Sequence, residues 1–160
     1  MVQLKVSARA RASAFARAGG VAAVIVGVDQ LTKHLVRTGI PFGESRNVFF
    51  GIQLVHYRNT GVAFSLFTGG GPIVLAITVA ALAALIGYLA RRPGRPWLWL
   101  PTGLLIGGAL GNLIDRLAHG GVTDFIKLPL WPAFNVADIA ITVGVLALLW
   151  VLEGPRQRGR

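Results

Sequence analysis

The residues able to do chemistry are a small polar set embedded in apolar sequence: Asp29, Lys33, Asn59, Asn112, Asp115, Arg116, Asp124, Asn135 and Asp138. Paired carboxylates can exchange protons as acid and base, and side-chain amides beside them can orient them. Asp29 and Lys33 are four residues apart, which on a helix makes a local ion pair that neutralises both. Gly103, Gly107 and Gly111 repeat every four residues and lead to Asp115, a small-residue row that lets another helix pack closely. Gly108, Asn112 and Arg116 form the neighbouring row, so amide, carboxylate and guanidinium reach one end of that helix. Asp124 lies in Gly121-Val-Thr-Asp-Phe-Ile126, and Asn135 precedes Asp138 by one helical turn, close enough to hydrogen-bond its carboxylate. A hairpin through this region can return Asp124 and Asp138 to one place. Spacing alone leaves that pairing open against two ordinary interfacial carboxylates.

Other chemistries have less to work with. Cysteine is absent, which removes thiol nucleophiles, disulfides and zinc–cysteine sites together. The histidines, His34, His56 and His119, fall on separate segments without a His-Glu-x-x-His metal motif, and read as ordinary interfacial or loop residues. A Ser–Lys hydrolase would draw on Ser45 or Ser65, but Lys33 is already assigned to Asp29 and Lys127 is the remaining candidate. If the chain is a hydrolase, carboxylates are the competent groups.

The elements that position these groups follow from composition. Of 160 residues, 54% are hydrophobic and 14% charged, with a mean hydropathy of +0.64; soluble domains average about 25% charged. The sequence therefore predicts an all-α membrane protein formed by a single domain over residues 1–160. It has four transmembrane helices, at about 14–36, 72–90, 97–114 and 134–152, after a basic tail at 1–13. The net charge of +10 is concentrated before and at the start of the first span (Lys5, Arg9, Arg11, Arg17), in the turn after the second (Arg91, Arg92, Arg95) and in the tail (Arg156, Arg158, Arg160 against Glu153). In a four-span chain these segments share a side, which the positive-inside rule makes cytoplasmic. Both termini are then cytoplasmic, the two longer loops face outward, and the basic excess needs no nucleic acid. Trp97, Trp99, Trp131 and Trp150 lie near span ends, as in an interfacial belt. The basic start followed by the apolar Ala18–Val28 looks like a secretory leader, but no small-x-small site follows it, so we expect a retained first helix. Val48 to Tyr57, rich in β-branched and aromatic residues, predicts a small β element in the first outward loop.

Taken together and in order, Asp29-Gln-Leu-Thr-Lys33, Arg58-Asn-Thr-Gly-Val-Ala-Phe64, Gly107-Gly-Ala-Leu-Gly-Asn-Leu-Ile-Asp-Arg116, Val122-Thr-Asp-Phe-Ile126 and Phe134-Asn-Val-Ala-Asp-Ile139 resemble the motifs of the bacterial signal peptidase II family over about residues 15–152. The resemblance implies a four-helix aspartic endopeptidase of the bacterial inner membrane. Such an enzyme removes the signal peptide from prolipoproteins just before a diacylglyceryl-modified cysteine, without metal or cofactor. It further implies that Asp124 and Asp138 are the catalytic dyad, that Asn59, Gly61, Asn112, Arg116 and Asn135 contact or support substrate, and that Asp29, Lys33 and Asp115 are structural. The implied partners are diacylglyceryl prolipoproteins and membrane lipids, with the enzyme working as a monomer and the site near the extracytoplasmic face. The family's usual Val-Val-Asp-Phe is Val122-Thr-Asp-Phe125 here, and the basic extension Met1–Arg17 is less typical.

Two carboxylates about 4 Å apart repel by roughly 4 kcal/mol at an effective dielectric near 20, about three pKa units, so such a dyad holds one proton between its members near neutral pH. The signal helix of a substrate is expected to lie against the bundle, with the glycine face of the third span available to it. The rival reading is a small proton-linked transporter or channel; it predicts ionisable groups spread through the membrane and often an inverted repeat, and the sequence displays neither. A non-catalytic helix scaffold would explain the glycine rows but not the outward aspartates.

Overall fold

A computed structural model describes residues 8–60 and 71–153. In chain order the elements are α1 (Ala8–Gly39), β1 (Ser45–Phe49), β2 (Ile52–Asn59), α2 (Gly71–Arg91), α3 (Trp99–His119), β3 (Val122–Lys127) and α4 (Val136–Glu153). Among the described residues two helices, α1 and α4, contain a stretch long and apolar enough to cross a membrane. The third helix, α3, is diluted by its glycines, Asn112, Asp115 and Arg116, because it is the buried spine against which α1, α2 and α4 pack.

The glycine rows explain how the spine is packed. A Cβ on Gly103 would stand 2.6 Å from the Ala18 carbonyl oxygen, and one on Gly107 2.8 Å from Ile25 Cβ, so this row seats α1. A Cβ on Gly108 would stand 2.6 Å from the Ala137 carbonyl oxygen, so the next row seats α4. The expectation that the glycine face is open to a substrate helix is therefore corrected: α1 and α4 already occupy it. The bundle's outer surface carries bare apolar side chains, including Val24, Leu31 and Leu35 on α1 and Val143, Leu146 and Trp150 on α4. A water-soluble monomer rarely tolerates such continuous apolar exposure, whereas a lipid-facing surface requires it.

Helix ends differ from the hydropathy-based limits. The first helix already includes Ala8, inside the stretch read as a tail, and α3 starts at Trp99 and continues to His119, beyond 114. Hydropathy reports where side chains turn polar, but a helix stops where its backbone is capped. Gly120 supplies that cap for α3, in the left-handed region at φ 69° with its N–H donating to the Arg116 carbonyl at 3.1 Å.

The basic segments meet at one end of the bundle. Arg17 lies over the Trp99 ring at 5.8 Å, and Arg95 donates to the Val151 carbonyl at 2.6 Å and the Leu152 carbonyl at 2.9 Å, closing the last turn of α4. Ala14, Ala18, Leu89, Leu98 and Val151 form the apolar core there. At the other end a three-stranded antiparallel sheet, β1–β2–β3, covers Val36, Ile40 and Phe125. The expected β element is present as β1 and β2. The third strand, in the second loop, was not expected: Val122 to Phe125 are buried on both faces, so the in-out alternation that announces a strand is missing.

Because the atom facing Gly108 is backbone and cannot swing away, Gly108→Ala should lower stability by about 1–3 kcal/mol. Gly19→Ala, with nothing within 4 Å of the added carbon, should change little. Thermal unfolding in detergent compares the two, and equal melting would refute the packing assignment.

Candidate active site

The site is assembled at the sheet end of the bundle, where Asp124 on β3 and Asp138 in the first turn of α4 come under one set of hydrogen bonds. Strand pairing begins the approach. Phe134, two residues before α4, bridges to Ile126, its N–H donating to the Ile126 carbonyl at 3.0 Å and its carbonyl accepting from Ile126 N–H at 2.8 Å. This ties the start of α4 to β3, two residues beyond Asp124.

Asn135 then joins the two acids. Its side-chain oxygen accepts the Asp138 backbone N–H at 3.0 Å, while Asp138 Oδ2 accepts the Asn135 backbone N–H at 3.2 Å. This reciprocal pair is a capping box with Asn135 at the cap and Asp138 at the third helical position. The remaining Asn135 group, Nδ2, donates to Asp124 Oδ1 at 2.7 Å. Asn59, at the end of β2, donates through Nδ2 to Asp124 Oδ2 at 3.1 Å. It reaches because Tyr57 is the residue opposite Asp124 in the sheet, placing Asn59 one pleat further on the same face. Asn112 on α3 donates to Asp138 Oδ1 at 2.8 Å.

Behind these amides is a buried ionic cluster. The Lys33 ammonium contacts Asp29 Oδ2 at 2.9 Å, Asp115 Oδ2 at 3.5 Å and Asn112 Oδ1 at 3.0 Å, and Lys33, Asp29 and Asp115 are all fully buried. The expected Asp29–Lys33 pair is thus present, but Lys33 is shared with Asp115. Arg37, one turn further along α1, contacts Asp115 Oδ1 at 3.4 Å and balances the charge. Asp29 also accepts the Ala137 backbone N–H at 2.9 Å, and Asp115 accepts the Thr123 backbone N–H at 2.8 Å. One acid fixes the residue before Asp138, the other the residue before Asp124.

All the site residues read from the sequence meet here except Gly61, which lies outside the described residues, and Arg116, which is at the edge. The Arg116 guanidinium is partly exposed and donates to the Asn112 carbonyl on its own helix at 3.5 Å. Gln30, within the Asp29–Lys33 motif, donates to the Gly111 carbonyl at 3.0 Å. Two contributors are new. Arg37 continues the four-residue spacing of Asp29 and Lys33, a signal present in the sequence, and Thr123 is recognisable only from tertiary contacts.

Burial pushes the Asp124 carboxyl up to about 6, helped by the negative charge of Asp138 and opposed by the amides of Asn59 and Asn135 and the Lys33 charge. A carboxyl that is protonated in part near neutral pH, beside a second carboxyl, can serve as acid while its neighbour serves as base.

A largely helical membrane bundle whose sheet end holds two aspartates under one hydrogen-bond network carries the groups that an acid–base site of the aspartic-peptidase kind needs. Residues 21–153 match the family described as signal peptidase (SPase) II, and the chain belongs to that family. It is 43% identical to a protein named lipoprotein signal peptidase from Moorella thermoacetica, covering 88% of this chain and 95% of that one. A relative of the same name from Pelotomaculum thermopropionicum is 42% identical over 82% of this chain and 88% of its own. Two solved structures, described as bacterial membrane enzymes determined by the in meso method, superpose with TM-scores of 0.76 and 0.77. They are 31% and 30% identical to this chain and are each covered to 92%.

The raised Asp124 carboxyl has a consequence for stability. Its folded-state value lies above the ordinary 3.8, so its contribution is most favourable below about pH 4 and is lost as pH rises through about 6. The stability advantage of Asp124→Asn over wild type should therefore be larger at pH 8 than at pH 4 by up to about 3 kcal/mol, at 1.36 kcal/mol per pKa unit. Unfolding in detergent at both pH values measures it; a pH-independent difference would contradict the assignment.

Proposed function

We propose that this protein is a membrane aspartic endopeptidase that removes the signal peptide from prolipoproteins, cutting just before the diacylglyceryl-modified cysteine, with Asp124 and Asp138 as its catalytic pair. The observation that carries the reading is that Asn135 hydrogen-bonds both aspartates at once, one through its amide and the other through the helix cap. Family membership supports the substrate class.

One carboxylate takes a proton from water as the water oxygen attacks the scissile carbonyl, and the protonated partner donates to the carbonyl oxygen. Collapse of the tetrahedral intermediate breaks the C–N bond, and the acid formed in the first step protonates the leaving amine. The two carboxyls supply both proton transfers, so no cofactor enters the scheme.

In the same reading the chain crosses the bacterial inner membrane four times as a monomer, with α2 and α3, 21 residues each, as the second and third spans. The meeting of Arg17, Arg95 and the end of α4 at one pole supports a cytoplasmic pole there, with the dyad at the extracytoplasmic boundary. That depth suits the substrate: its diacylglyceryl chains stay in lipid while the adjacent peptide bond reaches water. Among the described residues α2 packs on α3 and α1 but not on α4, which leaves room beside α3 for the substrate's signal helix. Asn59, Gly61, Asn112 and Asn135 orient the dyad or the substrate backbone. Arg116, partly exposed at the rim, is placed to meet an ester or main-chain carbonyl.

Cleavage of a diacylglyceryl prolipoprotein peptide by purified protein in detergent tests this. Asp124→Asn and Asp138→Asn should fold and lose about 10²–10⁴-fold in turnover, and wild-type turnover in either would sink the dyad. Arg116→Lys should lower turnover where two-pronged hydrogen bonding matters; unchanged kinetics would remove Arg116 from the site.

A further inference from the structure

Both oxygens of Asp138 face donors whose direction is set from elsewhere. The Asn135 backbone N–H, which points at Oδ2, has no alternative polarity. The Asn112 amide, which points at Oδ1, could in principle present either its NH2 or its oxygen, but its far end meets the Lys33 ammonium. An ammonium only donates, so the Asn112 oxygen must turn to Lys33 and its NH2 to Asp138. Lys33 thereby uses its three donors on Asp29, Asp115 and Asn112. Two fixed donors favour a charged carboxylate, as does the third position of a helix, where the N-terminal dipole attracts negative charge.

Asp124 sits differently. It is 4% exposed, whereas Asp138 is half-buried, so the cost of carrying charge is greater on Asp124. Its oxygens accept from two side-chain amides, Asn59 at 3.1 Å and Asn135 at 2.7 Å, and it lies on a strand, away from any helix N-terminus.

We propose that Lys33, acting through Asn112, makes Asp138 the carboxylate that takes the proton from water, and leaves Asp124 as the acid that holds the dyad's proton. The assignment rests on the peptidase reading for its chemical role, and the order of the two acids is a property of the chain by itself. The upward shift of Asp124 to about 6 agrees with it. Asp124 from β3 acts on Asp138 directly through its charge; the other charged groups are reached through intervening residues, Lys33 and Arg116 through Asn112, Asp29 through Ala137 and Asp115 through Lys33. In the catalytic cycle Asp138 gains a proton as the water O–C bond forms, and Asp124 O–H passes its proton to the carbonyl oxygen. On collapse the C–N bond breaks, the amine takes the proton from Asp138, and Asp124 recovers its own from the intermediate's hydroxyl. The site returns to its starting state, with one water consumed. Lys33 and Asn112 are in this scheme positioning residues.

The first measurement needs no substrate: infrared pH titration of the full-length protein in detergent, following the C=O stretch of a protonated carboxyl. The wild-type band titrating near pH 6 should vanish in Asp124→Asn and persist in Asp138→Asn, at lower pH because the repelling charge is gone. The opposite pattern overturns the proposal. The second measurement is the pH dependence of kcat/KM for Asn112→Ala. Loss of a hydrogen bond to the charged form should move the acidic limb up by about one pH unit, whereas a merely structural Asn112 would lower turnover at every pH and leave the limb in place, which also overturns it. If the infrared order holds but no prolipoprotein peptide is cut, the peptidase reading fails and the proton order stands.

Discussion

The fold depends on a single buried ammonium. Lys33 lies among Asp29, Asp115 and Asn112 with no exposure to solvent, in an apolar bundle where an uncompensated charge is very costly. Each partner in turn holds another part of the chain. Asp29 caps the N-terminus of α4 through Ala137, Asn112 reaches Asp138 in the same turn, and Asp115 holds the start of β3 through Thr123. The starts of α4 and β3 are thereby fixed relative to one side chain on α1. Breaking a buried ion pair by removing one partner costs about 3–5 kcal/mol, so the arrangement behaves as a unit.

The cluster can form only because the backbones around it come close. Gly111 stands where a Cβ would lie 2.6 Å from Asp29 Oδ2, so a side chain at that position would displace the carboxylate itself. Gly108 does the same for α4, letting the backbone at Ala137 approach α3 and bringing Asp138 within reach of Asn112. Close helix packing and site geometry are one requirement here. In a lipid environment, where burial of apolar surface gives little drive between helices, such close contact and buried polar bonds are what hold a bundle together.

The two acids occupy unlike settings although they share Asn135. Asp124 is on a strand covered on both faces, and Asp138 is in the first turn of a helix. Burial on that strand, with the charge of Asp138 beside it, pushes the Asp124 carboxyl up to about 6. The sheet contributes by bringing Asn59 to Asp124 from β2 and by pairing Phe134 with β3, so that the loop between β3 and α4 closes on itself.

The sequence by itself determined the helical membrane class, the β element in the first long loop and the polar residues worth attention, because hydropathy, small-residue spacing and i, i+4 pairing are local quantities. The nearness of Asn135 to Asp138 and the Asp29–Lys33 pair were legible for the same reason, whereas the helix cap that Asn135 forms was not. Tertiary structure decided that the two glycine rows of α3 serve different helices, that α1 fills the face expected to be free, and that the second loop contains a strand whose burial hides its period. It also decided that Lys33 serves Asp115 and Asn112 as well as Asp29. These are relations between residues tens of positions apart, set by which backbones can approach, and spacing along one chain does not contain them.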